Sequence, residues 1–201
     1  HNASCAQDAI ISAQQSGFEN INIDLMFALP RQTTNEVMHD LSVAVSHQVP
    51  HISWYQLTLE PNTAFHHKPP PLPSDQERWD FYTKGQTFLE NTGYTAYEIS
   101  AYARSNRCQH NINYWEYGDY LGVGAGAHSK ITRQDGRIER FSQIRQPKRY
   151  MQERHNENSE LLSIEQISLE YMMNRLRLLK DFSPLEFCQA TGHHPNTIRA
   201  G

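Results

Sequence analysis

Three apolar runs alternate with amphipathic segments along the first hundred residues. The runs at 21–29, 51–59 and 94–100 have the length of strands, and the first is nearly continuous, as expected for a strand buried on both faces. Capping boxes at Thr33 and Ser74 predict the two helices between them. The rhythm predicts an α/β fold in which crossover helices connect parallel strands.

Two further segments belong to this region, one before the first strand and one after the second strand. Ser4 with Gln7 predicts a capped helix that ends at Gly17. The segment 60–73 carries five prolines and predicts an extended loop, in which His66 and His67 are solvated.

The pattern changes after residue 129. A short strand is predicted at 138–141, a basic helix at 146–154 and a polar linker at 155–160. A helix from Ser163 and another from Ser183 to Gly192 follow. The first of these helices carries an apolar side made of Leu169, Met172, Met173, Leu176 and Leu179. We therefore divide the chain into domains at 1–154 and 155–201.

Composition narrows the class of protein. The 201 residues carry a net charge of -4 without a basic stripe, which argues against nucleic acid as a partner. Cys5, Cys108 and Cys188 are widely spaced, so they predict no disulfide framework and no Cys-x-x-Cys metal site. With no apolar run of spanning length, we expect a cytoplasmic protein without an integral membrane segment.

The stretch from His110 to Ser129, HNINYWEYGDYLGVGAGAHS, concentrates the candidate chemistry. Gly122, Gly124 and Gly126 would let backbone N–H groups approach a ligand closely. The alternative is a tight turn beside an aromatic core cluster. Both interpretations stay open at this point.

Asp24 is a carboxylate within the first apolar run. It either bonds backbone amides or an arginine, or it accepts hydrogen bonds from ligand hydroxyls, as acidic residues do for ribose.

Several motifs, in this order, resemble one family. They are DLMFALPRQ at 24–32, YQLTLEPNT at 55–63, GY at 93–94, YEIS at 97–100, HNINYW at 110–115, DYLGVGAGAHS at 119–129, EYM at 170–172 and LRL at 176–178. The chain is similar here to the HemW group of radical S-adenosylmethionine (radical SAM) proteins, relatives of oxygen-independent coproporphyrinogen III oxidase. Ala28 and Arg31 stand where the family has glycines.

This resemblance implies the second half of a (β/α)6 partial TIM barrel over 1–154, followed by an incomplete helical C-terminal domain. It also implies S-adenosylmethionine and a [4Fe–4S] cluster as cofactors. The family's Cys-x-x-x-Cys-x-x-Cys loop is absent, so we expect a fragment that has no turnover by itself. Asp24, expected at the carboxyl end of its strand, would accept the ribose hydroxyls, with Gln56, Glu60 and the backbone of Gly122, Gly124 and Gly126 lining the same opening.

By the same resemblance, HNINYW is associated with haem chaperones. His110 is the candidate iron ligand, with Tyr114 and Trp115 packing the macrocycle. Cys108 is a competing ligand, and the other candidate histidines are His66, His67, His193 and His194. The motif could instead only cap a turn and fill the end of the barrel.

Three functions follow in order of preference. The first is a haem chaperone that binds haem and passes it to target proteins. The second is an oxygen-independent coproporphyrinogen III oxidase, which decarboxylates a porphyrin precursor. The third is an unrelated barrel enzyme that binds phosphate at the glycine loop.

Overall fold

A computed structural model describes residues 2–153 and 156–197. Its contacts divide the chain into two compact units, 1–107 and 108–201. The predicted domain boundary lies between residues 154 and 155, which are outside the described residues, so that boundary stays a prediction.

Unit 1 is an α/β layer. Its elements are α1 (Ala3–Gln15), β1 (Asn22–Phe27), α2 (Thr34–Ser46), β2 (His51–Gln56), α3 (Ala64–His67), α4 (Asp75–Asn91), β3 (Thr95–Glu98) and β4 (Ala101–Ala103). The sheet order is β1-β2-β4-β3. The predicted loop at 60–73 thus contains one short helix, α3.

The strand pairing confirms part of the predicted topology. β1 and β2 are parallel, with Asp24 opposite Ser53, and α2 connects them. The third run does not continue this pattern: β3 ends at Glu98, and the chain returns as β4, which is antiparallel to both β2 and β3. The expectation of an all-parallel sheet is wrong at this hairpin.

The core of unit 1 lies between one sheet face and the helices α2 and α4. Leu41, Phe81 and Leu89 from the helices pack with Ile52 and Trp54 from β2. The alternate residues of β1 lie on the other sheet face, where Asn22 and Asp24 are exposed. The prediction that β1 is buried on both faces is therefore wrong.

The helix starts depend on their caps. Thr33 with Glu36 and Ser74 with Glu77 form the predicted capping boxes. For α1 the prediction is wrong, because Asn2, and not Ser4, caps the helix by accepting from the Cys5 amide. Asn2 offers its side-chain oxygen two residues earlier, directly before the first residue of the helix.

Unit 2 is built on a three-stranded antiparallel sheet in the order β5-β6-β7. Its elements are α5 (Gln109–Trp115), β5 (His128–Thr132), β6 (Ile138–Gln143), α6 (Pro147–Gln152), β7 (Asn156–Leu161), α7 (Ile164–Arg175), α8 (Pro184–Thr191) and a 3-10 turn (Pro195–Thr197). The predicted linker at 155–160 is wrong for its described part, which is strand β7 paired with β6. His155 lies outside the described residues, as does Arg154 at the end of the predicted basic helix.

Helix α7 turns a different face inward than the sequence predicts. Ile167 and Tyr171 are buried with Phe187 of α8, and only Met172 of the predicted stripe packs against this core. The other four stripe residues are more than half exposed: Leu169, Met173, Leu176 and Leu179. Within the described residues, no helix combines the length and apolarity that a membrane span needs.

Candidate functional site

Asp24 lies in the middle of β1 and not at its carboxyl end, where we expected it. Its Oδ1 accepts a hydrogen bond of 2.8 Å from Asn22 Nδ2. The side chain is exposed on the sheet face opposite the helices. Asp24 is therefore an accessible acceptor that bonds a neighbouring side chain, and its role as a ligand contact stays a prediction.

Gln56 is the last residue of β2 and is exposed. It pairs in register with Phe27, a core residue, so strand alternation places it towards the helix-covered face. Glu60 follows four residues later, exposed, and its carbonyl accepts from the Thr63 hydroxyl at 2.7 Å. The strands thus place Asp24 and Gln56 on different faces, three residues apart in register.

Ala28 and Arg31 bracket the turn that follows β1. Both have left-handed backbones, with φ of 59° and 61°. Ala28 is buried and Arg31 is exposed. This conformation costs an L-residue roughly 1–2 kcal/mol relative to glycine. Both positions therefore have a backbone conformation that glycine adopts most readily, and the resembled family has glycine at both.

The glycine loop connects α5 to β5. The Gly122 amide donates to Ser129 Oγ at 2.8 Å, that of Gly124 to the Tyr150 hydroxyl at 3.0 Å, and that of Gly126 to the Ile144 carbonyl at 3.0 Å. A Cβ on Gly122 would overlap the backbone of His128. The three glycine amides thus already have protein acceptors, and the ligand interpretation stays a prediction.

A buried lysine holds the start of this loop. Lys130 is 1% exposed, and its Nζ donates to Asp119 Oδ1 and to the Tyr117 carbonyl, both at 2.9 Å. Asp119 Oδ2 also accepts from the Thr132 amide at 2.8 Å. Burial raises the pKa of the Asp119 carboxyl, but the bonds from Lys130 and Thr132 outweigh it and hold that pKa below its usual range.

The HNINYW motif forms α5. His110 is exposed at one end of an aromatic row: its ring lies edge-on to Tyr114 at 4.8 Å, and Tyr114 lies 4.4 Å from Tyr120. The Arg177 guanidinium lies 4.2 Å from the Trp115 ring and occupies one face of that indole. The arrangement leaves the His110–Tyr114 end accessible to a flat ligand.

Hydrogen bonds from Arg140 hold the Tyr120 end of this aromatic row in place. The Tyr120 hydroxyl accepts from Arg140 Nη1 at 3.1 Å, and the same guanidinium makes two bonds of 3.0 and 2.8 Å to Glu170 Oε2. The Tyr117 hydroxyl donates to Glu170 as well, at 3.1 Å. Burial and this carboxylate raise the pKa of Tyr117, which keeps the phenol protonated as a donor.

The side chains described above suit haem and a ribose, but they do not suit a [4Fe–4S] cluster. An exposed imidazole beside flat aromatic rings suits haem, because an axial ligand must be reached from one side. An exposed carboxylate suits ribose hydroxyls. Within residues 2–153 and 156–197, no three His, Cys, Asp or Glu side chains are grouped to hold a metal ion, so these residues do not fit a [4Fe–4S] cluster.

Other candidate ligands are scattered. His66 and His67 form the end of α3 with their rings 6.0 Å apart, and His193 and His194 follow α8. Cys108 occupies the N-cap position of α5, two residues before His110. The sequence reasoning missed His51, Asn22 and Lys130. The signal that could have indicated His51 and Asn22 is that each is a polar residue within an apolar run.

Comparison with known proteins identifies similar chains. No family model matches. The chain is 44% identical over 99% of its length to the heme chaperone HemW of Haemophilus influenzae, and 44% identical over 99% to that of Escherichia coli. A mouse protein, radical S-adenosyl methionine domain-containing protein 1, mitochondrial, is 34% identical over 67% of the chain. The chain spans 52%, 53% and 31% of these three proteins.

A solved structure shows the same fold. The coproporphyrinogen III oxidase HemN from Escherichia coli, described as a radical SAM enzyme, matches 96% of this chain and 48% of its own, with a TM-score of 0.75 and 19% identity. This likeness confirms the predicted fold class, an α/β chain that forms part of a partial TIM barrel.

Proposed function

We propose that this chain is the haem-binding part of a radical SAM haem chaperone, because its sequence is similar to HemW proteins over nearly its whole length. Its similarity to two HemW proteins at 44% identity supports this function over decarboxylation. The likeness to coproporphyrinogen III oxidase, at 19% identity, concerns the fold alone. Haem would be the cargo, handed on to acceptor proteins in the cytoplasm.

The observation that carries the proposal is the exposed His110 at the open end of the aromatic row. Tyr114, backed by Tyr120, offers an apolar surface for the edge of a porphyrin. The His110 imidazole can then bind the iron axially. Because one face of Trp115 is covered by Arg177, the macrocycle packs against Tyr114 first.

S-adenosylmethionine binds, in this proposal, through Asp24, whose exposed carboxylate accepts the ribose hydroxyls. Gln56 lies on the other face of the sheet, so only Glu60, beyond the end of β2, is proposed to line the approach. The amides of Gly122, Gly124 and Gly126 donate to acceptors within their own unit, so the proposal assigns them no ligand. The cluster ligands come from residues that this chain does not supply.

The test is a haem titration followed by optical spectroscopy. His110→Ala should change the spectrum of the bound iron and weaken affinity by roughly tenfold or more, the usual scale for a lost ligand interaction. Cys108→Ser tests the competing thiolate, and His39→Ala, an exposed histidine of unit 1 that is not among the candidate ligands, is the matched control. Should His110→Ala and Cys108→Ser both leave spectrum and affinity unchanged, the motif is structural and another ligand holds the iron.

A further inference from the structure

A row of hydrogen-bonded side chains crosses unit 1 on the sheet face opposite the helices. The Tyr97 hydroxyl lies 2.7 Å from His51 Nε2, and His51 Nδ1 lies 2.6 Å from Asn22 Oδ1. Asn22 Nδ2 then donates to Asp24 at 2.8 Å. His51 and Tyr97 are buried, 2% and 4% exposed, whereas Asp24 is exposed. The row therefore connects a buried imidazole to an accessible carboxylate.

The orientation of the Asn22 amide is determined by its partners. The backbone N–H of Ser53 faces Asn22 Oδ1 at 3.1 Å, and the Ser53 hydroxyl lies at the same distance. A backbone N–H only donates, so the atom opposite it must be the amide oxygen. Flipping the amide would set two donors against each other. Asn22 Nδ2 is thereby directed at Asp24.

The same logic fixes the proton on His51. Its Nδ1 faces an oxygen that can only accept, so Nδ1 carries the hydrogen, and neutral Nε2 accepts from the Tyr97 hydroxyl. Every bond in the row then points towards Asp24. The order is Tyr97, His51, Asn22, Asp24.

Burial favours this neutral form. It lowers the pKa of His51, while the Glu98 and Asp24 carboxylates act in the opposite direction without reversing the shift. The Arg107 guanidinium, 5.4 Å from the Tyr97 ring, is a further charge that opposes a second cation here. Protonation at low pH would place a hydrogen on Nε2, and the Tyr97 hydroxyl could no longer donate to it.

We propose that His51 is a positioning residue for Asp24. It holds the Asn22 amide, which fixes one oxygen of the Asp24 carboxylate so that the other accepts a ligand hydroxyl. The proposal rests on the function proposed above for Asp24 as the ribose acceptor of S-adenosylmethionine. It adds that affinity for this ligand depends on the tautomer and protonation state of a buried histidine.

Two substitutions separate positioning from packing. The side-chain amide of His51→Asn can reach the Nδ1 position and keep the bond to Asn22, whereas that of His51→Gln reaches Nε2 and loses it. In the full-length protein we expect S-adenosylmethionine affinity, measured calorimetrically, to fall by roughly tenfold in His51→Gln and to stay near wild type in His51→Asn. Asp24→Asn, which removes the charged acceptor, should weaken binding in either case.

The pH dependence gives a second readout. In the wild type, affinity should fall as pH drops through the lowered pKa of His51, because the imidazolium keeps its Nδ1 bond to Asn22 but loses the Tyr97 bond that holds the ring in line with Asn22. The His51→Asn side chain cannot take up this proton, so this variant should lose that step. If His51→Gln does not fold, this comparison still decides. A step that persists in His51→Asn overturns the proposal.

The tautomer can be observed without any ligand. Nitrogen-15 NMR of the 201-residue chain should show His51 with its hydrogen on Nδ1, and a hydrogen on Nε2 overturns the proposal. If Asp24→Asn leaves affinity unchanged, the cofactor role of Asp24 fails and the positioning role falls with it. If Asp24→Asn weakens binding while His51→Gln does not, only the positioning role fails.

Discussion

The ion pair of Lys130 and Asp119 allows a sharp test of why the motif DYLGVGAGAHS contains its aspartate. Lys130 is almost fully buried, and its side chain has two acceptors, Asp119 and the Tyr117 carbonyl. Asp119→Ala would leave this ammonium buried with one neutral acceptor. Lys130→Met would remove the charge and keep the apolar stem.

The expected costs differ because the two partners differ in exposure. Breaking a buried pair from one side costs about 3–5 kcal/mol, since it leaves an uncompensated charge. The Asp119 side chain is 39% exposed, so water offsets part of that penalty, and we expect a loss of about 2 kcal/mol for Asp119→Ala. Lys130→Met should cost about 1 kcal/mol or less, because Asp119 keeps its bonds from Thr132.

The signature is non-additivity. In the double variant, Asp119→Ala should add much less than it costs alone, a coupling of about 1 kcal/mol or more. Hydrogen exchange of β5 and β6 peptides, followed by mass spectrometry, measures unit 2 separately from unit 1. Strictly additive costs, or Lys130→Met as the more damaging single change, would refute the reasoning.

Two further outcomes follow from the structure. Gly85→Ala should destabilise unit 1 by about 1–2 kcal/mol in urea unfolding, because the added methyl overlaps the buried indole of Trp54. This loss outweighs the preference of alanine for helices. Lys84→Ala, at an exposed position of the same helix, is the control and should change stability little. The lowered pKa of Asp119 contributes stability above the unfolded carboxyl pKa, and that stability should be lost as pH falls through the folded pKa; an acid titration of β5 exchange that Asp119→Asn leaves unaltered would contradict this.

Local rules predicted the elements whose causes are local. The boxes at Thr33 and Ser74 mark the starts of α2 and α4 because cap and partner are three residues apart. The β1–β2 pairing followed from two apolar runs separated by a helix. The hairpin after Glu98 was missed, since three residues of β4 carry too little periodicity to be recognised.

The site was harder to predict because its geometry depends on contacts distant in sequence. No local pattern indicates that Tyr97 contacts His51, which is 46 residues away. Apolar residues with helical spacing occur on two sides of α7, and tertiary packing buries the side that carries Ile167 and Tyr171. The aromatic motif at 110–115 was recognisable by composition, but its orientation depends on Tyr120 and Arg140.

The left-handed turn after β1 also determines which substitutions unit 1 tolerates. Arg31 is exposed, and exposed positions ordinarily accept almost any polar residue. Its positive φ changes that rule: glycine, asparagine and aspartate are the inexpensive replacements, whereas valine, isoleucine and threonine are costly. In a saturation library selected for folding, Arg31 should therefore show the residue preferences of a turn, and buried Ala28 should accept glycine before any larger side chain.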